Sequence, residues 1–530
     1  MSGDNTAQAS QANSHPARQD TTDQPTVHVD SVPLVYIGVL LAAVLQVLDT
    51  TIANVAIPHM QSSLGATQET VLWVLTSYIV ASAIALPTAG WLSARFGARK
   101  LLILSTTTFI ISSMLCGLAT TLEQMVLFRV IQGATGAFLM PLSQTILLDV
   151  TRPSRHAQAM ALWGSGVIVG PIMGPVIGGW LTENANWRWV FFVNVPVGAV
   201  ALLLMVTQLP QWPLRRFRFD FTGFIMVALC VASIQLLMDR GQHIDWFDAT
   251  EAWIYVMVAA CAAWVGIIHL VTTPNPLFDR QLWHDVNFAA SLLIMLVVGL
   301  SAYAVLALLP PMLQSLFNYS VLETGMVIAP RGIGVLICAT LAGRLLRQGV
   351  DLRLLIAVGF VIIALSMFEM AGWSLDVDSR HVMVAGFIQG FGLGFLFVSL
   401  NTAAFATLPA HLRADGSSLI NLARSIGASG GISVSSLILA RTIQTSHSEL
   451  VPNITAEHTA IFDPQVAGMY GSYGSAALSV ADAAINRQAA MIGYLNDFWM
   501  VGWLCIAAIP IVLLIRKPKN GVSAAPLDAH

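Results

Sequence analysis

The stretch IQGATGAFLMPLSQT at residues 131–145 returns in altered form as IQGFGLGFLFVSLNT at residues 388–402. The two copies share Ile-Gln-Gly, Phe-Leu and a closing threonine, and 257 residues separate them (131 to 388). Two weaker matches have nearly the same separation. They are IPHM at 57–60 with LPPM at 309–312, and KLLI at 100–103 with RLLI at 353–356. Three coincident matches indicate an internal duplication, and many membrane transporters are built from two repeats.

The composition excludes a soluble protein. Of the 530 residues, 56% are hydrophobic and only 10% are charged, whereas soluble domains carry about 25% charged residues. The surplus of apolar side chains must therefore face lipid. The net charge of −3 gives no reason to expect a nucleic-acid partner.

Fourteen apolar stretches are long enough to cross a bilayer, which requires about 20 residues each. They are predicted near 34–57, 70–91, 100–119, 122–148, 157–181, 190–208, 221–238, 252–271, 287–309, 321–343, 353–373, 381–407, 414–440 and 495–515. The duplication divides them into six, two and six. The expected fold is thus an all-α integral membrane protein with two six-helix bundles and two inserted helices.

The predicted domain boundaries follow from these spans. We expect a disordered tail, an N-terminal bundle, an inserted pair, a C-terminal bundle with a long polar loop before its last span, and a second tail. These segments are 1–33, 34–208, 209–285, 286–515 with the loop at 442–494, and 516–530. Within the loop, residues 475–492 are predicted to form a helix.

The positive residues fix an orientation for these spans. With the N-terminus inside, sixteen arginines and lysines fall in cytoplasmic segments and five fall on the opposite side. One missed or added span would invert every later loop and remove this asymmetry. We therefore expect both termini in the cytoplasm.

No sequence motif indicates an enzyme, a cofactor or a metal. The chain has three lysines, and none follows a glycine as a phosphate-binding P-loop requires. The segment GASGG at 427–431 matches a serine nucleophile pattern, but it lies in an apolar span and is typical of close helix packing. The cysteines and histidines show no metal-ligand spacing. An ion gradient is the remaining energy source for transport.

Three charged residues are predicted to share one layer of the membrane. Asp49 lies about 12 Å from the outer end of the first span, and Arg129 and Arg331 enter the fourth and tenth spans to a similar depth. Burial disfavours an ionised aspartate and a neighbouring arginine favours it. Our hypothesis is that Asp49 is a proton-coupling site poised by Arg129. The alternative is a fixed ion pair that joins two helices.

Several polar residues of the spans are candidates for a substrate path. They are Gln46, Asn54, Gln132, Gln144, Arg331 and Arg424. Polar side chains in a membrane either line a path or bond helices to each other, and the sequence leaves both interpretations open. In contrast, Asp149 and Asp239 stand at span ends, where solvation is the expectation.

The fifth span carries an unusual series of glycines and prolines. Gly166, Gly170, Gly174 and Gly178 recur every four residues and predict a smooth face for close helix contact. Pro171 and Pro175 remove backbone donors from this helix, and Gly179 follows the last repeat. Such a helix suits rocking of one bundle against the other, although static packing also explains the pattern.

Five segments, taken in order, resemble the major facilitator superfamily and within it the fourteen-span drug:proton antiporters of the EmrB type. They are LDTTIANVAIP at 48–58, GWLSARFGARK at 90–100, RVIQGATGAFLMPLSQ at 129–144, GPIMGPVIGGW at 170–180 and WRWVFFVNVPVG at 187–198. The fourth-span motif carries the arginine tied to proton coupling in that family, here Arg129. In the loop motif Gly90, Arg95, Gly97 and Arg99 match, but Ala94 stands where the family carries aspartate.

The resemblance implies a proton-driven exporter of lipophilic or amphipathic small molecules in the inner membrane of a Gram-negative bacterium. It also implies a periplasmic adaptor of the EmrA type and an outer-membrane channel of the TolC type. Three alternatives stay open: an exporter of one metabolite or fatty acid, a symporter on the same fold, and a membrane scaffold that transports nothing.

Overall fold

The described residues form helices joined by short turns, without a strand among them. A computed structural model describes residues 24–212, 214, 218–241, 244, 246–451 and 474–516. The predicted all-α architecture is confirmed for this part of the chain.

The described residues contain fourteen long helices, which follow one another along the chain. They are α1 (Val32–Ser63), α2 (Trp73–Phe96), α3 (Ala98–Leu118), α4 (Leu122–Val150), α5 (His156–Asn184), α6 (Trp189–Gln208), α7 (Phe221–Arg240), α8 (Thr250–Thr272), α9 (Val286–Leu316), α10 (Val321–Arg347), α11 (Leu352–Met370), α12 (Ser379–Ala406), α13 (Arg413–Leu450) and α14 (Gly474–Val512).

These helices match the predicted spans in number and order. Thirteen of them are long and apolar enough to cross a membrane. The other, α5, has 29 residues and packs between α1 and α10. Because successive spans alternate in direction, the helix ends define two faces. We call the face at which α1 begins the near face, and the opposite face the far face.

Local sequence signals set the helix ends. Gly97 separates α2 from α3 with φ +87°, a backbone conformation that residues with a side chain rarely adopt. Asp285 caps α9 by accepting hydrogen bonds from the N–H groups of Asn287 and Phe288. Ser320 and Glu323 form a reciprocal capping box at the start of α10.

The internal duplication is visible in the packing. A side chain at Gly133 of α4 would meet the carbonyl oxygen of Tyr78 on α2 at 2.3 Å, so the two backbones touch there. In the second half, Gly390 of α12 meets the carbonyl oxygen of Arg331 on α10 in the same way, at 1.9 Å. Both residues of the second contact follow those of the first by about 255 positions. Helices α1–α6 and α9–α14 are therefore repeats of one bundle.

The inserted helix α7 contacts both bundles. Gln235 donates a hydrogen bond to Ser429 of α13, and Asp239 accepts one from Thr76 of α2. Its partner α8 packs on α7 and exposes large apolar side chains such as Trp264 and Val271, as a lipid-facing helix must.

Two predicted boundaries differ in the structure. Helix α13 runs to Leu450 and α14 begins at Gly474, so helix occupies both ends of the segment predicted as the loop 442–494. The predicted helix 475–492 is continuous with the last span, and residues 452–473 lie outside the described part. At the other end of the chain, the Val27 N–H donates to the carbonyl oxygen of Asp149 at 3.0 Å. The end of the predicted tail 1–33 is therefore docked on the near face, whereas residues 1–23 and 517–530 are not described.

Candidate functional site

Asp49 lies at the centre of a buried polar network in the N-terminal bundle. Its side chain is fully buried, and Arg129 Nη1 donates to Oδ2 at 2.6 Å. Gln132 Nε2 and Asn194 Nδ2 donate to Oδ1 at 2.9 and 2.8 Å. The predicted pairing of Asp49 with Arg129 is confirmed. Every partner donates a hydrogen to the carboxylate, and such charge-assisted bonds are among the stronger ones in proteins.

The side chain of Arg129 also has several partners besides Asp49. Its Nη1 also donates to Gln132 Oε1 at 2.8 Å, and its Nε donates to the carbonyl oxygen of Val74 at 3.0 Å. The guanidinium carbon lies 4.3 Å from the centre of the Tyr78 ring, which gives a cation–π contact. The buried charge is thus compensated from α1, α2 and α4 together.

Asn194 was missed in the sequence analysis. It is fully buried on α6 and joins Asp49 to Ser113 of α3, whose Oγ accepts from Asn194 Nδ2 at 3.0 Å. In a single sequence, a neutral amide among apolar residues does not indicate a buried polar site, whereas a charged residue within a membrane span does. Gln132, proposed for the substrate path, belongs to this network instead.

A second polar cluster joins the two bundles in the near half of the membrane. Gln144 of α4 donates to Asn401 Oδ1 of α12 at 3.4 Å, and these two residues are repeat counterparts. Its Oε1 accepts from Ser417 and Asn421 of α13, at 2.5 and 3.0 Å. Gln144 thus bonds one bundle to the other.

An ion pair between the two bundles lies closer to the near face than this cluster and closes that face. Arg413 Nη1 of α13 donates to Asp149 Oδ1 of α4 at 2.9 Å, and Trp212 Nε1 donates to Asp149 Oδ2 at 3.1 Å. The expectation of a solvated Asp149 is wrong, since its side chain is buried. In addition, Ser418 donates to the carbonyl oxygen of Leu86 across the same boundary.

Gly90 of the loop motif lies directly against Asp415 of α13. An added side chain at Gly90 would come within 1.3 Å of the Asp415 Oδ1. The chain has Ala94 where the family carries an acidic residue, but α13 brings a carboxylate to the same loop. Of the other motif residues, Arg99 donates to the carbonyl oxygen of Val206 at 2.7 Å, and Arg95 is exposed at the near face.

Arg331 lies inside the C-terminal bundle. It is buried on α10, and its Nη2 donates to the carbonyl oxygen of Ala302 at 3.2 Å. Its Nη1 finds no partner among the described residues. The repeat counterparts of Asp49 and Arg129 are Ser301 and Gly386, so the described part of the second bundle has no equivalent ion pair at these positions.

The other path candidates occupy different surroundings. Arg424 Nη2 donates to Asn421 Oδ1 at 2.8 Å and also contacts the sulfur of Met140 on α4, which places it between the bundles. Gln46 is half-buried, and its Oε1 accepts no hydrogen bond within the described part of the chain. Asn54 on α1 is exposed.

The glycine face of α5 packs against α1 rather than against the other bundle. Side chains at Gly170, Gly174 and Gly178 would meet Val47, Thr51 and Ile52 of α1 at 3.0, 2.1 and 2.8 Å. The smooth face is confirmed and its partner is α1 of the same bundle, whereas the role of this helix in rocking of the bundles stays a prediction.

The glycine face packs against the turn of α1 that carries Asp49. Helix α5 continues through Pro171 and Pro175, and Gly179 is buried. Another face of α5 contacts the other bundle, where Val176 lies against Gly325 of α10. Helix α5 therefore connects the Asp49 turn to the C-terminal bundle.

No group of three or more potential metal ligands occurs among the described residues. Two repeated helical bundles, of which the first contains a buried ion pair, with a polar closure between them, define a membrane transporter rather than an enzyme. The chain belongs to the Major Facilitator Superfamily, whose family model matches residues 39–432.

Comparison with named relatives shows which transporters of this superfamily the chain resembles. It is 33% identical to the multidrug export protein EmrB of Escherichia coli (strain K12) over 503 residues, which cover 93% of this chain and 97% of that protein. It is 31% identical to the fatty acid resistance protein FarB of Neisseria gonorrhoeae, over 94% of this chain and 98% of that protein.

A solved structure shares the fold. The proton:xylose symporter XylE superposes with a TM-score of 0.57 at 12% identity, over 90% of this chain and 94% of that chain. These comparisons and the fourteen helices establish a multi-pass membrane protein of the major facilitator fold.

Proposed function

We propose that this chain exports lipophilic and amphipathic small molecules in exchange for protons by alternating access. The observation that carries the proposal is the buried network in which Asp49 accepts hydrogen bonds from Arg129, Gln132 and Asn194. A carboxylate in the membrane that is held by donors from two other helices can exchange a proton only together with a rearrangement of those helices.

The described state is the one in which the near face is closed and Asp49 is ionised. A proton that arrives from the far face would neutralise Asp49 and weaken its charge-assisted bonds, each worth about 1.5–3 kcal/mol. Helix α1 could then shift relative to α4 and α6. Helix α5 packs closely on the same turn of α1 and also contacts α10. The shift of α1 is therefore transmitted to the other bundle.

The near face is assigned to the cytoplasm on the basis of the arginine and lysine asymmetry. With protons entering from the far face, the substrate leaves in the opposite direction. The protein then resides in the cytoplasmic membrane of a Gram-negative bacterium with both termini inside.

We place an adaptor of the EmrA type and a channel of the TolC type on the far face. Support comes from α13 and α14, which have 38 and 39 residues where about 20 span the bilayer. Their extensions are joined by His447 and Asp482 at 2.9 Å. This helix pair stands out from the membrane as a docking element for such a partner.

The central experiment uses proteoliposomes with a defined pH gradient and a fluorescent lipophilic cation as substrate. We expect Asp49→Asn to reduce gradient-driven accumulation strongly and to retain exchange down a substrate gradient, because the amide keeps the shape of the side chain but cannot bind a proton. Asp376→Asn, an exposed carboxylate on the turn between α11 and α12, is the matched control.

Full gradient-driven transport by Asp49→Asn would show that the pair with Arg129 is a structural ion pair. Uptake of substrate together with protons in the wild type would instead identify a symporter. A wild type without any gradient-driven flux would favour the scaffold.

A second candidate is the export of anionic amphipaths such as fatty acids. It is supported by the similarity to FarB and by Arg424, a cation at the boundary between the bundles. Competition between a long-chain fatty acid and the lipophilic cation in the same vesicles distinguishes a specific exporter from one with broad specificity.

A further inference from the structure

Asp497 on α14 is a fully buried carboxyl group. Its exposed fraction is 0%, and neither Oδ1 nor Oδ2 has a hydrogen-bond partner among the described residues. Asp49 provides the contrast, since three side chains donate to it. Both carboxyl groups are equally buried, so the difference lies in the donors alone.

The neighbours of Asp497 along α14 are largely apolar. Phe498 and Val501 beside it on α14 belong to the main hydrophobic cluster, together with residues of α9 and α11 such as Met312 and Met367. An isolated ionised carboxylate is disfavoured in such surroundings far more than a neutral acid.

The charged groups of the neighbouring helices are bound elsewhere or lie at other depths, whereas Tyr494, almost one turn before Asp497 on the same helix, interacts with it electrostatically. The charged and titratable groups are distributed over four helices. On α14 itself they are Asp482, Arg487, Tyr494 and Cys505; on α11, Arg353 and Glu369; on α13, Arg413, Asp415, Arg424, Arg441, His447 and Glu449; and α9 contributes Tyr303 but no charged residue.

The closest of these groups have their own partners. Arg487 donates to the carbonyl oxygen of Leu316, and Glu369 accepts from Trp373 Nε1 at 3.1 Å. Arg441 is exposed. Thus no cation within the described residues forms a salt bridge with Asp497.

One polar side chain lies at the same level on the facing helix. Gly493 of α14 packs against Leu439 of α13, with 2.8 Å from an added side chain to Leu439 Cδ1. Asp497 is one turn beyond Gly493, and Ser435 is one turn before Leu439. Because the helices are antiparallel, Asp497 and Ser435 lie opposite each other. Ser435 is also buried, and its Oγ has no partner in the described part of the chain.

We infer that Asp497 is a second proton-binding site, located in the C-terminal bundle, with Ser435 as the polar group through which its proton is exchanged when α13 and α14 separate. In the described state Asp497 is a neutral acid and Asp49 is ionised. The site is independent of the Asp49 network, and proton binding there does not require that the proposed export function is correct.

Infrared difference spectroscopy of the purified protein tests this assignment without transport. We expect a pH-dependent carbonyl stretching band of a protonated carboxyl group in the wild type and in Asp49→Asn, and its loss in Asp497→Asn. Persistence of the whole band in Asp497→Asn would overturn the inference.

Transport then tests whether the proton is exchanged. Asp497→Asn should keep substrate exchange but reduce the number of protons moved per substrate. An unchanged ratio and pH profile would identify Asp497 as a permanently neutral structural acid and overturn the inference. If Asp497→Asn does not fold, Ser435→Ala decides: a displaced carboxyl band supports the facing pair, and an unchanged band refutes it.

Discussion

Adding one methyl group at Gly90 should shift the balance between the two faces of the transporter. The new carbon of Gly90→Ala would lie 1.3 Å from Asp415 Oδ1 and 2.3 Å from its Cγ, so the carboxylate must move by about 2 Å to reach normal contact. Overpacking of this kind costs about 1–3 kcal/mol. Since Gly90 and Asp415 belong to different bundles, the cost applies only while the near face is closed.

This free-energy cost changes the relative populations of the states with a closed and an open near face. With RT near 0.59 kcal/mol, about 1–3 kcal/mol shifts the equilibrium toward the state with an open near face by roughly 5- to 150-fold. Asp415→Ala should remove most of the shift in the double variant because it vacates the contested space. Gly164→Ala is the control, since nothing lies within 4 Å of the added carbon.

Spin labels on the near face measure the shift directly. Lys100 and Arg347 are exposed there on different bundles, and cysteines at both positions carry the labels. The accessible Cys261 and the half-buried Cys230 are first replaced by serine. We expect a larger fraction of long distances in Gly90→Ala. A distance distribution identical to that of the parent, or one that Asp415→Ala does not restore, would refute the reasoning.

Three further predictions follow from the same contacts. Asn194→Leu removes a charge-assisted hydrogen bond worth about 1.5–3 kcal/mol from the buried carboxylate of α1; the unfolding temperature of the purified protein should therefore fall, and an unchanged temperature would show that this bond does not hold α6 to α1. Asp149→Arg and Arg413→Asp should each slow transport, and the double exchange should restore at least part of it because the pair is re-formed with reversed polarity; failure of the double exchange would contradict a role for the pair itself. Gly174→Val should lower thermal stability by about 1–3 kcal/mol, since its Cβ would lie 2.1 Å from Thr51 Oγ1; an unchanged unfolding temperature would show that α5 and α1 are not tightly packed.

The fold was accessible from the sequence because apolar stretches and positive residues report directly on membrane insertion. Asp49 and Arg129 could also be paired in advance, since charged residues within spans are rare and the depth of each follows from its position in a helix. The offset of the repeat likewise placed Gln144 and Asn401 at equivalent positions, although it could not show that they touch.

The features that could not be predicted depend on which helices become neighbours. The glycine period of α5 defines a smooth face, but periodicity does not identify its partner, which proved to be α1. Asp149 and Arg413 are 264 residues apart, and nothing local to either one signals the contact. Asp497 stands at the predicted start of the last span, where a solvated end is the ordinary expectation.

The projecting ends of α13 and α14 have a mechanical consequence. From Leu495 back to Gly474, α14 extends about 31 Å beyond the predicted span at 1.5 Å per residue. If the C-terminal bundle turns by about 15°, as rigid units do in other switching proteins, the tip of such an arm sweeps about 8 Å. The binding or release of one proton within the membrane would then move the tip of this arm outside the membrane, far enough to displace a partner attached to it.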